Sequence, residues 1–349
     1  MEREGTKSCV PYLVNKTMAN VAVIGATTWG TTLGRLLAGN GVDVSVWART
    51  EAKAEEMMRS QEQDTSKGCL SSHLLFTSDI DEALSSAELV ILAVPAQTLR
   101  QNIKRIKDRL TASMILVNAA KGLEAESGKR MSEVILEEVS SISPERVCIL
   151  SGPNLSREID QCLPATSVIA AYDTGVARKV KAQLDTPDFS VFISDDVVGV
   201  ELCGALKNVI ALGAGMFDGL DLGNNAKAVL FTLGWSEVVS LGVALGAKVD
   251  TFYGLAGFGD LIATGNSTLS RNHYVGYELG KGRPLDEITA SMTNIAEGID
   301  TTVAVHKLIS DLGLDVPIMN LIYGVLSGSL SSNELTARFK EALKLEARA

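Results

Sequence analysis

In the stretch ELCGALKNVIALGAG (201–215) a lysine, Lys207, stands inside an apolar run of helical spacing. Lysines are almost never fully buried without a partner. An isolated one would lay its stem along the apolar surface and keep its ammonium in water. The adjacent Asn208 and a carboxylate at Asp260, in GLAGFGDLIATG (254–265), favour a chemical role instead. A lysine with an ordinary pKa of about 10.4 becomes a useful proton donor and acceptor when burial or a second cation pulls it toward neutrality. A nearby carboxylate pulls the other way, so the net direction stays open. Asp260 alone would read as a turn or helix-capping aspartate. Beyond it, Ser270, Arg271 and Asn272 offer a hydroxyl, a forked guanidinium and an amide in succession. Arginine suits bidentate phosphate binding, although a Ser-Arg-Asn triplet means nothing by itself.

A second candidate lies near the start. VAVIGATTWGTTLG (21–34) reads as a buried strand, a tight turn and the opening of a helix. Gly25 permits the turn, and Gly30 allows helix and strand to pack closely. The helix start presents free N–H groups to an anion such as a pyrophosphate. Thr27 stands where a dinucleotide loop has its middle glycine, and its Cβ crowds that approach. The hydroxyls of Thr27 and Thr28 are candidate phosphate donors, and Trp29 begins the helix's apolar stripe. The following strand ends at VWART, where Arg49 is either a solvated side chain or a partner for the 2′-phosphate of NADP.

These residues need elements to hold them. The runs VAVIG, VDVSVW, LVILAV, MILVNA, VCILSG, SVIAA and SVFIS alternate with helical stretches such as 51–59 and 99–110. Runs this continuously apolar suit strands buried on both faces of a parallel sheet. After about residue 195 apolar residues recur at helical spacing, as in AVLFTLGWSEVVSLGVALG. The expectation is an α/β fold: an N-terminal Rossmann-type doubly wound parallel sheet at 18–195 and an all-helical substrate-binding and catalytic domain at 196–349. Residues 1–17 read as an appendage, with Met18 an alternative start.

Bulk properties limit the choices. The chain has 349 residues, 46% hydrophobic and 21% charged, enough for two packed cores. A net charge of −10 argues against nucleic-acid binding. No apolar run approaches a membrane span, and the N-terminus lacks a signal-peptide pattern. Five scattered cysteines and three histidines argue against a metal cluster. Buried free thiols in a reducing, cytoplasmic setting are expected.

Further stretches place polar residues where a core has no need of them: NAAKGLE (118–124), SGPN (151–154) and NIAEGIDT (294–301). With GALKN and GLAGFGDLIAT…SRN, the chain from about 20 to 340 resembles the bacterial form of the NAD(P)-dependent glycerol-3-phosphate dehydrogenase family. That resemblance implies reduction of dihydroxyacetone phosphate by NADP- or NAD-linked hydride transfer, supplying glycerol 3-phosphate for phospholipid synthesis, in a homodimer. It implies Lys207 as general acid and base, with Asp260 orienting it. Lys121 would contact substrate and cofactor. Gly152, Asn154, Asn208, Thr264, Ser270, Arg271 and Asn272 would border the substrate, Thr264 at the phosphate rim. Ser156, Arg271, Ile295 and Glu297 would lie against the cofactor, Glu297 at its nicotinamide end.

The chain departs from that family's pattern in four places. Thr27 replaces glycine in G-A-G-S-W-G, and Asn154 stands where serine or threonine is usual. Leu233 replaces the arginine of TRG, and residues 59–76 lack the N-x-x-Y-L-P stretch. Thr27 is expected to weaken or reshape the pyrophosphate contact. Two other readings follow: a dehydrogenase of another small hydroxy compound, and a non-catalytic metabolite-binding protein that keeps the fold.

Overall fold

The computed structural model describes residues 20–63, 72–267, 269–292 and 294–346. The expected appendage, the start at Met18 and part of the divergent 59–76 segment lie outside them. One sheet contains β1 (Asn20–Ile24), β2 (Val44–Trp47), β3 (Leu74–Thr77), β4 (Ala87–Leu92), β5 (Ile115–Asn118), β6 (Val147–Ser151), β7 (Ala165–Ala170) and β8 (Phe189–Ser194). Their order is β3-β2-β1-β4-β5-β6-β7-β8. The chain leaves β1 toward β2 on one side and later returns to β4 on the other, so a crevice opens at the carboxyl ends of β1 and β4.

Neighbours from β3 through β6 are parallel, as expected. The last pair differs: β7 runs antiparallel to β6, and β8 parallel to β7. A parallel return needs a crossover along a sheet face. The chain leaving β6 instead makes a short helix beside the first helix of the fold, at the same sheet end, and turns straight back.

The helices of this half are α1 (Thr28–Gly39), α2 (Glu51–Gln63), α3 (Ile80–Leu84), α4 (Ala96–Ile106), α5 (Met131–Glu138), α6 (Ser156–Asp160) and α7 (Thr174–Leu184). Alternate residues of β1 serve opposite layers, as strand geometry requires. Val21 and Val23 pack with Leu33 and Leu37 of α1, whereas Ala22 and Ile24 pack with Leu99 and Ile103 of α4.

The helical half holds α8 (Val197–Gly219), α9 (Gly223–Ala244), α10 (Val249–Phe252), α11 (Asp260–Gly265), α12 (Arg271–Gly280), α13 (Leu285–Ala290), α14 (Glu297–Leu312), α15 (Pro317–Leu326) and α16 (Ser332–Glu346). By length and composition α8 and α9 could cross a bilayer, but the most apolar window of α8 is 94% buried inside the protein. It is the axis of this half. A Cβ on Gly276 would come within 1.9 Å of the Leu212 carbonyl oxygen, and one on Gly215 within 2.0 Å of that of His273. Backbone therefore meets backbone between α8 and α12, which sets the start of α12 beside Lys207 and Asn208.

The thiol expectation holds for Cys148 and Cys203, which are free and buried. It fails for Cys162, which is disulfide-bonded and sits partly exposed at φ 55° in the turn after α6. Cys9 and Cys69 lie outside the described residues.

Candidate active site

Lys207 sits mid-way along α8 with only 5% of its surface exposed. Its ammonium does not snorkel. It donates to Asp260 Oδ1 at 2.7 Å and to Thr264 Oγ1 at 2.5 Å. Asp260, 1% exposed, is the first residue of α11 and follows a π-helical turn, Leu255–Gly259. Gly257 permits that turn, since a Cβ there would strike the Phe252 carbonyl oxygen at 2.2 Å.

The second oxygen of Asp260 accepts from Lys121 Nζ at 2.7 Å. Lys121 lies on the segment leaving β5, and its ammonium also donates to the Gly152 carbonyl at 2.7 Å. One carboxylate from the helical half thus holds two lysines, one from each half of the chain. Gly152 has φ 148°, and a Cβ there would come within 3.0 Å of Ser167 Cα.

The charges respond to this packing. Burial lowers the Lys207 pKa to about 8, with Lys121 adding to the shift and Asp260 opposing it. Burial would raise the Asp260 carboxyl, but the two ammonium groups hold it below its ordinary value. The direction left open by sequence is therefore downward for the lysine. That suits a group that must both give and take a proton near neutral pH.

Several expected contacts differ in their partners. The Thr264 hydroxyl accepts from Lys207 and donates to Asp260 at 3.2 Å. Ser270 is the N-cap of α12, its oxygen accepting the His273 N–H at 3.2 Å, while its hydroxyl proton remains available to a ligand. Asn208 and Asn272 are bonded to each other, Nδ2 of Asn272 reaching Oδ1 of Asn208 at 2.8 Å. Arg271, by contrast, is exposed at the first position of α12, and its charge is felt at the buried Glu297 carboxylate. Asn154 donates to Ser167 Oγ at 3.1 Å, and its Oδ1 is buried without a protein partner. Beside it, Ser151 Oγ is buried and unpartnered too. Sequence reasoning passed over Ser151, although it opens the SGPN stretch. A Cβ on Gly204 would come within 2.5 Å of that hydroxyl, so the site's small residues are packed against one another.

The glycine turn lies at the carboxyl end of β1. Gly25 has φ 117°, and a Cβ on Gly30 would fall 2.1 Å from the Gly25 oxygen. Thr27 does not offer its hydroxyl outward, as expected. It donates to the Ala93 carbonyl at 2.8 Å and accepts the Gly30 N–H at 3.1 Å, so it is the N-cap of α1. Helix geometry still leaves the N–H groups of Thr28 and Trp29 without intrahelical partners. Trp29 Nε1 is buried with no protein acceptor. The turn therefore fits a pyrophosphate through backbone donors. Replacing Thr27 by Val should cost about 1 kcal/mol of stability, as loss of an N-cap does. Thermal unfolding would show it, with Ser at this position retaining the wild-type midpoint.

Past the turn, Arg49 is exposed two residues after β2, Ser156 opens α6, and Ile295 is 48% exposed ahead of α14. Glu297 opens α14, and its carboxylate accepts the N–H groups of Ala96 at 3.0 Å and Lys121 at 3.2 Å. Ala93 and Ala96 belong to the same short turn out of β4. That turn touches the glycine loop through Thr27 and the lysine cluster through Glu297, so the two sites adjoin. Leu233 sits elsewhere, lining a recess with Pro317 and Ile318 at the start of α15.

A dinucleotide turn on a sheet's carboxyl edge, opening onto a buried lysine that can exchange a proton, is the construction of a dinucleotide-dependent dehydrogenase. Comparison with known proteins narrows the class. The profile for the NAD-dependent glycerol-3-phosphate dehydrogenase N-terminus matches residues 20–177, and that for its C-terminus matches 196–337. A Dehalococcoides mccartyi protein named glycerol-3-phosphate dehydrogenase [NAD(P)+] is 46% identical over 91% of this chain and 89% of its own. One from Chlorobium phaeobacteroides is 41% identical over 88% and 92%. The crystal structure of the Coxiella burnetii glycerol-3-phosphate dehydrogenase superposes with a TM-score of 0.84 at 28% identity, covering 93% of this chain and 99% of that one. The chain belongs to the NAD-dependent glycerol-3-phosphate dehydrogenase family.

Proposed function

We propose that this chain interconverts dihydroxyacetone phosphate and sn-glycerol 3-phosphate, with residues 18–195 holding NADPH or NADH and residues 196–349 holding the substrate. The observation that carries the reading is the Lys121–Asp260–Lys207 cluster, built from both halves and adjoining the glycine turn. A reduced dinucleotide held at that turn would supply the hydride that the carbonyl carbon accepts. Lys207 Nζ gives its proton to the carbonyl oxygen as negative charge develops there. Asp260 aims that ammonium, and Lys121 adds a second positive charge beside the same oxygen. In the oxidative direction neutral Lys207 takes the hydroxyl proton back. Arg271 pairs with the substrate phosphate, helped by the Ser270 hydroxyl. Glycerol 3-phosphate formed in this way is the backbone unit of phospholipids.

The Lys207 pKa near 8 sets the pH dependence. Reduction needs the ammonium, so kcat/KM for the ketone should fall as pH rises through that value; oxidation needs the amine, so its kcat/KM should rise through the same window. Initial rates in both directions give the two limbs, and flat profiles would remove Lys207 as the titrating group.

A phosphate-binding role for Arg271 predicts selectivity for the phosphorylated substrate. Arg271→Ala should raise the KM for dihydroxyacetone phosphate by about ten-fold or more, the worth of a lost charge-assisted pair. Activity on unphosphorylated dihydroxyacetone should be low in both proteins. Equal kcat/KM for the two ketones in the unmodified protein would instead favour another hydroxy compound as substrate.

A further inference from the structure

The main chain of Lys121 is gripped on both sides. Its N–H donates to Glu297 Oε2 at 3.2 Å, and its carbonyl accepts from Asn208 Nδ2 at 3.0 Å. Asn208 Oδ1 accepts from Asn272 Nδ2 at 2.8 Å, and Asn272 Oδ1 accepts the Gly298 N–H at 2.9 Å. Glu297 and Gly298 are consecutive, so these bonds close into a ring that passes through Lys121. The ring joins the segment leaving β5 to α8, α12 and α14. The other oxygen of Glu297 accepts from Ala96, the first residue of α4, whose N-cap Pro95 has no capping side chain.

The ring is tightly enclosed. A Cβ on Gly298 would lie 2.8 Å from Asn272 Oδ1 and 2.9 Å from the Asn208 carbonyl oxygen. A Cβ on Gly122 would lie 2.8 Å from Ala96 Cβ. Both asparagines spend their carbonyl oxygen and an amide proton on protein partners. Burial pushes the Glu297 carboxyl above its ordinary value, against the Ala96 N–H and the Arg271 and Lys121 charges. A group placed there for packing alone would not need to be a carboxylate facing two main-chain donors from the other half of the chain.

We propose that Glu297 is a positioning residue: with Asn272 and Asn208 it closes a hydrogen-bonded ring that fixes the Lys121 main chain and so holds the Lys121 ammonium on Asp260. This rests on the proton-transfer reading of Lys207 and Asp260. Glu297 acts through Lys121, and the asparagines act on the same main chain rather than on the ligand alone. The charged groups that face it are Lys121 and Arg271, and its own charge is felt at Lys207.

The test uses the full chain with Glu297→Gln and Glu297→Asp. It measures kcat with NADPH and dihydroxyacetone phosphate, the NADPH dissociation constant, and the Lys207 titration by NMR of labelled lysine without substrate. Glutamine keeps the length but replaces one acceptor by a donor that meets an N–H. We expect kcat to fall about ten-fold, as for a lost hydrogen bond to a charged group. The loss of kcat should persist at saturating NADPH, and the Lys207 midpoint should move to lower pH because a negative charge is gone. Aspartate keeps the charge but falls one methylene short, so kcat should fall while the midpoint stays. It carries the test if the glutamine variant does not fold. Weakened NADPH binding with kcat and midpoint unchanged would overturn the proposal and make Glu297 a cofactor contact; no change at all would overturn it as well. Absence of turnover in the unmodified protein would contradict the proposed reaction, and the titration would still decide the ring.

Discussion

Lys207→Met should lower kcat for ketone reduction by about a thousand-fold, within the range lost when a general acid is removed. Methionine has nearly the same length and shape in α8 and no proton to give. The substitution leaves Asp260 still paired with Lys121 at 2.7 Å, so no buried carboxylate is stranded. The variant should therefore fold and bind NADPH as the unmodified protein does. Added primary amines small enough to enter the vacated space should restore part of the rate. A variant retaining substantial turnover would place the proton donor elsewhere, with Lys121 the next residue to replace.

The second large effect is at Asp260. Asparagine there keeps the shape but leaves two ammonium groups facing one neutral amide in a buried site. Breaking a buried ion pair from one side costs about 3–5 kcal/mol, and here a single side chain serves both cations. Asp260→Asn should lower the melting temperature markedly, and activity should be lost because Lys207, relieved of the carboxylate that supports its charge, no longer holds its proton. Combining Lys207→Met with Asp260→Asn should recover part of the stability and none of the activity. That coupling is what a double-mutant cycle isolates. Additive losses in stability would mean the two side chains do not depend on each other.

Much of the fold was legible because buried parallel strands leave long apolar runs, and each run singled out is a strand. β3 was missed: it has four residues, one of them exposed, and follows a polar stretch. The reversal at β7 was not legible either, since an apolar run reads the same whichever way its strand runs. The lysine–carboxylate pair spans 53 residues, so no spacing rule could join it; the family resemblance did. Thr27 shows the opposite failure. Threonine just before a helix is a readable N-cap signal, and comparison with a glycine template obscured it. Asn208, Asn272 and Thr264 lie in the hydrogen-bond network around the two lysines, but an amide or hydroxyl serves a ligand or a neighbour with the same chemistry. Only geometry assigns its partner.

The most direct test of the central claim is the initial rate at which the purified protein oxidises NADPH, and separately NADH, on addition of dihydroxyacetone phosphate. Turnover with at least one dinucleotide, yielding one sn-glycerol 3-phosphate per cofactor consumed, is the predicted result. A folded sample that binds the dinucleotide through the Thr27 turn yet forms no glycerol 3-phosphate with either would contradict it.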